Sequence, residues 1–230
     1  DAQESRGLGD VYKRQCWGCE VRHPTLEQFL KDVARHELTV NLDQGLFRDL
    51  TIQRPGCCEM HYHITTRPGH LMFTGDMGSF VFTRLADMFD FFRDKDGYDI
   101  NPGYWEEKLE AVDSRGGVKE FSADEAKQIL TEHLQDHLAG IDSGDYDKDQ
   151  SDAEEAKEAI QDLINCAEDD QHEFIQKLRD WDSDYAGGLD MDCWWEWDFN
   201  DHTYRYIWCC YAIVHAIKLY DAHKSNEVPA

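Results

Sequence analysis

The sequence predicts an α+β fold: an antiparallel β-meander packed with helices, then an acidic helical section, then a buried C-terminal helix. Three observations predict it. Five short runs with β character lie between residues 38 and 83, separated only by turn signals, and strands joined this tightly pair antiparallel. The residues after them carry helix-start signals without the strand–helix alternation that builds parallel sheets. The last apolar stretch is hydrophobic almost all round, the pattern of a helix buried on several sides.

Taken in order, Thr25-Leu-Glu-Gln28 is a capping box that opens a helix to about His36, with Leu26, Phe29, Leu30 and Val33 on one stripe. The β runs follow at 38–42, 46–53, 58–66, 71–74 and 80–83. They are punctuated by Asp43-Gln-Gly45, Arg54-Pro-Gly56, Arg67-Pro-Gly69 and Gly75-Asp-Met-Gly78. A Phe- and Met-rich helix is expected over 85–93, and Asn101-Pro-Gly103 leads into another at 104–112. Ser122-Ala-Asp-Glu125 and Ser151-Asp-Ala-Glu154 are two more capping boxes, marking helices at about 122–139 and 151–168, with a further helix at 171–181. The alternation over 193–199 reads as a final strand, and 203–222 as the buried helix. Residues 16–230 thus read as a single α+β domain with an acidic helical insertion at about 122–185. Residues 1–15 have no apolar signal core, and Arg6-Gly-Leu-Gly-Asp-Val-Tyr-Lys-Arg-Gln15 resembles translated adapter sequence; they are expected to be a non-native leader.

Hydrophobic residues make up 41% of the chain, with 7 Trp, 10 Tyr and 11 Phe, enough apolar surface for a sizeable core; a wholly disordered chain is excluded. The formal net charge is −25, from 48 acidic and 23 basic residues. It argues against direct binding of nucleic acid or an anionic membrane, because phosphate contacts need clustered Lys and Arg. The imbalance is local. Residues 16–84 hold eight acids and seven bases, whereas 142–201 hold 21 acids and four bases. Such a block is either a solvated face that keeps the protein in solution or a surface that imitates a nucleic-acid backbone.

Eight cysteines suggest disulfides until their positions are read. Cys57-Cys58 and Cys209-Cys210 are adjacent pairs, the second within a helix, where bridge geometry is not met; free thiols and a cytoplasmic location are expected. Cys16-Trp-Gly-Cys19 has redox or half-zinc spacing without a second such pair. The longest apolar run, 206–217, falls short of the roughly 20 residues that a membrane span needs.

Thr74-Gly-Asp-Met-Gly78, Asp87-Met-Phe-Asp-Phe-Phe92, Ile100-Asn-Pro-Gly-Tyr-Trp-Glu-Glu-Lys-Leu109, Tyr206-Ile-Trp-Cys-Cys-Tyr-Ala-Ile213 and Tyr220-Asp221 together resemble a family of accessory proteins from tailed-phage and prophage genomes, over about 25–225. The resemblance implies a phage protein acting in the cytoplasm of a bacterial host. It carries no active site to transfer.

The residues themselves offer few catalytic patterns. No phosphate-binding loop, dinucleotide fingerprint or nucleophile elbow is present, so no catalytic residue, metal site or cofactor is assigned and a non-enzymatic role is favoured. His61-Tyr-His63 lies in an expected strand, where period two puts both imidazoles on one face; that spacing can chelate a metal but lacks a named third ligand. His133 and His137, four apart on a helix, fall near its apolar stripe and read as satisfied core histidines before they read as ligands. Asp145-Tyr-Asp-Lys-Asp149 starts like a calcium loop, yet Gln150 replaces the turn glycine and Ala156 the closing glutamate. In Trp194-Trp-Glu-Trp197, alternation places Trp195 and Trp197 with Phe199 in the core and leaves Trp194 as the exposed ring.

Two functional readings follow. In the first, a phage-encoded, non-enzymatic inhibitor docks on a basic host protein, a nucleic-acid-binding component of host defence, in the manner of an anti-CRISPR or other anti-defence protein. Asp142, Asp145, Asp147, Asp149, Asp152, Glu154, Glu155 and Glu158 then stand in for phosphates. In the second, the protein binds or hydrolyses a small signalling nucleotide, using His61, His63, Arg48, Arg67 and Trp194 as its pocket.

Overall fold

The structure is a computed structural model and describes residues 23–94, 97–114, 116–144 and 150–227. It has the α+β architecture that the sequence implies, and the chain divides into two compact units. One comprises the described residues up to Val118 and from His202 onward; the other comprises the described residues of Lys119–Asp201, a span that includes 122–185 and extends past it.

The first unit is a sheet backed by helices. Thr25 caps α1 (Leu26–Asp32), its side chain accepting from the Gln28 amide at 3.2 Å. Five strands then form the meander: β1 (Glu37–Gln44), β2 (Phe47–Gln53), β3 (Tyr62–Arg67), β4 (His70–Gly75) and β5 (Gly78–Thr83). A sixth, β6 (Leu109–Val112), joins beside β5, so the antiparallel order is β1-β2-β3-β4-β5-β6. Between them lie two short helices, α2 (Met88–Phe92) and α3 (Pro102–Glu106). Residues 109–112 are therefore strand where a helix over 104–112 was expected. Local periodicity favours a helix there, but the ladder to Phe80, Val81 and Phe82 supplies tertiary hydrogen bonds that outweigh it. A register shift after Val40 bends edge strand β1, which blunts the open edge.

The long helix α7 (Tyr204–Glu227) supplies much of this unit's core. Trp208, Tyr206, Tyr62, Phe29, Phe73, Phe82 and Phe89 are fully buried together. Their polar atoms are satisfied: Trp208 Nε1 donates to Asp32 at 3.1 Å, Tyr206 donates to the Pro102 carbonyl at 2.9 Å, and the Tyr62 hydroxyl lies 2.8 Å from His215 Nδ1. Burial pushes the His215 imidazole down to about 4. Cys209 and Cys210 are buried free thiols, and burial raises both above the ordinary thiol range, which leaves them unreactive.

The second unit is mainly helical. Ser122 caps α4 (Ala123–Ser143) by accepting from the Glu125 amide at 2.9 Å, and Gly144, in the left-handed conformation, ends it. Helix α5 (Gln150–Asp169) buries Ala153, Ala156, Ile160, Leu163, Ile164 and Ala167, the i, i+3, i+4, i+7 stripe of an amphipathic helix. It begins one residue before Ser151, so the expected capping serine lies in the first turn. Asp170 caps α6 (Gln171–Arg179), accepting from the amides of His172 and Glu173. A two-stranded ladder, β7 (Lys119–Phe121) with β8 (Asn200–His202), brings the ends of the segment together. The expected strand over 193–199 is instead a 3-10 turn at Trp194–Glu196. Gly187 has φ +61, and a Cβ there would lie 1.9 Å from the Asp152 carbonyl; only glycine lets this loop approach α5.

Candidate functional site

Two regions hold the residues singled out above. The first is the outer surface of the helical unit. Residues 119–201 carry 26 acidic and six basic residues, while the rest of the chain carries 22 and 17. Because α5 buries one stripe, its charged residues are forced to the opposite one. Glu154, Glu155, Glu158, Asp162, Glu168 and Asp169 are all exposed. Two of them have cations: Glu154 meets Lys157 at 2.8 Å and Asp162 meets Lys177 at 2.7 Å. Glu155, Glu158, Glu168 and Asp169 have no cation in contact among the described residues. Asp142 is exposed, Asp152 is half-buried, and Asp145, Asp147 and Asp149 lie outside the described residues.

The sequence reading missed the part of this surface beyond 158. Asp162, Glu173, Asp180 and Asp182 border a shallow groove of about 450 Å³ between α5, α6 and the 3-10 turn Ser183–Tyr185, with Trp181, Tyr185 and Lys177 in its lining, the last paired with Asp162 and near Glu173. Tyr185 is 84% exposed, and Trp195 is 64% exposed. The exposed ring of the tryptophan cluster is thus Trp195, and Trp194 packs against the core of its unit. The error traces to period: a 3-10 turn repeats every three residues, a strand every two. His133 and His137 act structurally, with their Nε2 atoms 2.6 Å from the Asp190 carbonyl and 3.3 Å from that of Gly187.

The second region is the outer face of the sheet. Register aligns Thr39, Thr51, His63, Thr74 and Ser79 in one row across five strands. His63 Nδ1 lies 2.9 Å from the Thr51 hydroxyl, which also accepts from Asn41. Burial, then the neighbouring His61, lowers the His63 pKa below the usual histidine range, so this imidazole is neutral at pH 7. His61 precedes the strand, with its ring centre 5.5 Å from that of His63.

Arg48 does not join them. Alternation along β2 turns it to the core face, opposite Thr51. There it is buried in a bidentate pair with Asp87, both contacts 2.8 Å, beneath the Phe89 ring at 4.4 Å. Hydrogen bonding to Arg48 holds the Asp87 carboxyl below its usual range. A guanidinium neutralised this way has no charge left for a ligand phosphate. Arg67 ends β3, four residues from His63 and exposed. Arg48 and the imidazoles of the nucleotide reading therefore sit on opposite faces of one sheet, whereas alternation along β3 puts Arg67 on the His63 face.

Among the described residues no helix is long and apolar enough to cross a membrane. Comparison of the chain with protein-family models, with curated proteins and with solved structures finds no match.

Proposed function

We propose that the protein is a non-enzymatic inhibitor of phage origin, acting in the cytoplasm of a bacterial host, whose helical unit docks on a basic, nucleic-acid-binding protein of host defence. The observation that carries this reading is the segregation of charge: a net −20 in residues 119–201, with Glu155, Glu158, Glu168 and Asp169 on exposed helix positions that have no cation in contact among the described residues. A concentration of exposed carboxylates attracts a basic partner and speeds encounter with it. Tyr185 and Trp195 add what charge alone lacks, large rings of the kind that anchor interfaces once they are buried. The separation of Arg48 from the histidines removes one of the two arginines of the nucleotide-pocket alternative and leaves Arg67 alone on their face.

The test is capture from bacterial lysate by tagged protein at low salt and at salt high enough to shrink the Debye length to about 3 Å. A second bait carries Glu155→Gln, Glu158→Gln, Glu168→Gln and Asp169→Asn. A nucleic-acid-binding protein held by the first bait at low salt, released at high salt, displaced by added DNA and absent from the second bait is the expected result. A partner held equally by both baits, or one that added DNA leaves in place, contradicts the reading.

A further inference from the structure

The sheet unit contains an arrangement that the acidic-surface reading does not use. The geometry points to a divalent metal site, fitted to Zn²⁺, formed by the imidazoles of His61 and His63 with Asp76 orienting the first.

The site is built by a tight turn. Gly75 and Gly78 pair as the ends of the β4–β5 hairpin, leaving Asp76 and Met77 as its two-residue loop. A Cβ on Gly75 would lie 2.3 Å from the His61 carbonyl and 2.8 Å from the Tyr62 Cα, so the backbones approach this closely only because residue 75 is glycine. That approach lets the Asp76 amide donate to the His61 carbonyl at 3.1 Å and brings the Asp76 carboxylate to 3.2 Å from His61 Nδ1. The Cys58 carbonyl lies 2.7 Å from the same nitrogen. Two acceptors around one nitrogen place the proton on Nδ1 and leave the Nε2 lone pair outward, the orientation that a carboxylate imposes on metal-bound histidine.

His63 is positioned through the same ring nitrogen, and zinc at Nε2 would select the tautomer in which Nδ1–H donates to the Thr51 hydroxyl. Its Nδ1 is engaged by Thr51, whose hydroxyl is itself fixed by Asn41. Neither Nε2 has a hydrogen-bond partner among the described residues. Two imidazoles that bind one zinc tetrahedrally through nitrogens about 2.0–2.1 Å from the metal have ring centres roughly 5 Å apart. The observed 5.5 Å is within a small side-chain adjustment of that separation. No group of three or more ligand side chains is gathered among the described residues, and the two imidazoles leave coordination positions that solvent can fill. The site is therefore an open one of moderate affinity, unlike the closed four-ligand sites that drive folding.

The experiment is calorimetric titration of the full chain with ZnCl₂ in a non-chelating reductant, for the wild type, His61→Ala, His63→Ala, Asp76→Asn and a Cys57→Ser/Cys58→Ser control. One zinc per chain with micromolar affinity is expected for the wild type and the cysteine control. Affinity should fall at least about tenfold in either histidine variant and by a smaller factor in Asp76→Asn. Long-range ¹H–¹⁵N spectra of the imidazoles should show zinc shifting the Nε2 resonances of these two rings alone. Binding retained in both histidine variants, lost in the cysteine control, or undetectable in folded wild type overturns the site. None of these outcomes bears on the acidic surface, so the two proposals fail separately.

Discussion

In the sheet unit the cations close the fold, whereas in the helical unit most of the described carboxylates are exposed. Arg48 clamps Asp87, Arg93 pairs with Asp221 at 2.9 Å, Lys224 with Asp43 at 3.0 Å and Arg205 with Asp113 at 3.4 Å, each joining segments far apart in the chain. The helical unit has Lys119 with Asp198 as a comparable long-range pair, while its other described pairs lie along or between successive helices. Their cores differ as well. The sheet unit is packed with fully buried aromatic rings, and the helical unit with Ala, Ile and Leu around Phe174 and Phe199. The contrast teaches that long-range ion pairs and buried rings tie distant segments together in one unit, while the other is built from successive amphipathic helices with exposed acidic faces.

The largest effect should come from breaking the sheet unit's buried pair. Asp87→Ala leaves the Arg48 guanidinium buried without its counter-charge and removes the cap of α2, and should cost about 3–5 kcal/mol by chemical denaturation. Next is acid. His215 in the folded state titrates near 4, below its ordinary value of 6.5, so the unfolded chain takes up a proton first as pH falls. Stability is full above about pH 6.5 and is lost as pH drops toward 4, by up to about 3 kcal/mol. Denaturation midpoints at a series of pH values should show this slope, and His215→Gln should flatten it. In the helical unit, Ser122→Ala removes a single capping bond and should cost about 1 kcal/mol, seen as faster amide exchange in the first turn of α4. Salt should act least and in a unit-specific way: screening relieves the self-repulsion of residues 119–201 and slows exchange there, with little change in the sheet.

What the sequence made legible follows from the range of the forces involved. Thr25 and Ser122 were readable as helix starts because a cap is satisfied within three residues, and the meander because each turn carries its own glycine or proline. The strand at Leu109–Val112 was hidden, since its partner β5 lies some thirty residues earlier and only tertiary pairing decides its state. The burial of Arg48 was hidden for the same reason: Asp87 is 39 residues away, and nothing local separates a core arginine from a ligand-binding one. The acidic surface was legible as composition, but its groove was not, because Asp162 and Asp182 converge only when α5, α6 and the following turn are folded together. Period misassigned Trp194 and Trp195. The β character of 58–66 did place His61 near His63, although the contact with Asp76 required the β4–β5 turn.

The central claim is that the helical unit, and not the sheet unit, carries the contact surface. It is tested most directly by the salt dependence of affinity for the captured partner, comparing two variants with equal numbers of neutralised carboxylates. One carries Glu155→Gln, Glu158→Gln, Glu168→Gln and Asp169→Asn; the other carries Glu27→Gln, Glu37→Gln, Glu59→Gln and Glu107→Gln, exposed positions of the sheet unit. The account predicts that the first variant binds more weakly with a shallower slope of log affinity against log salt, while the second matches the wild type. Equal losses in the two variants, or a loss confined to the second, would contradict it.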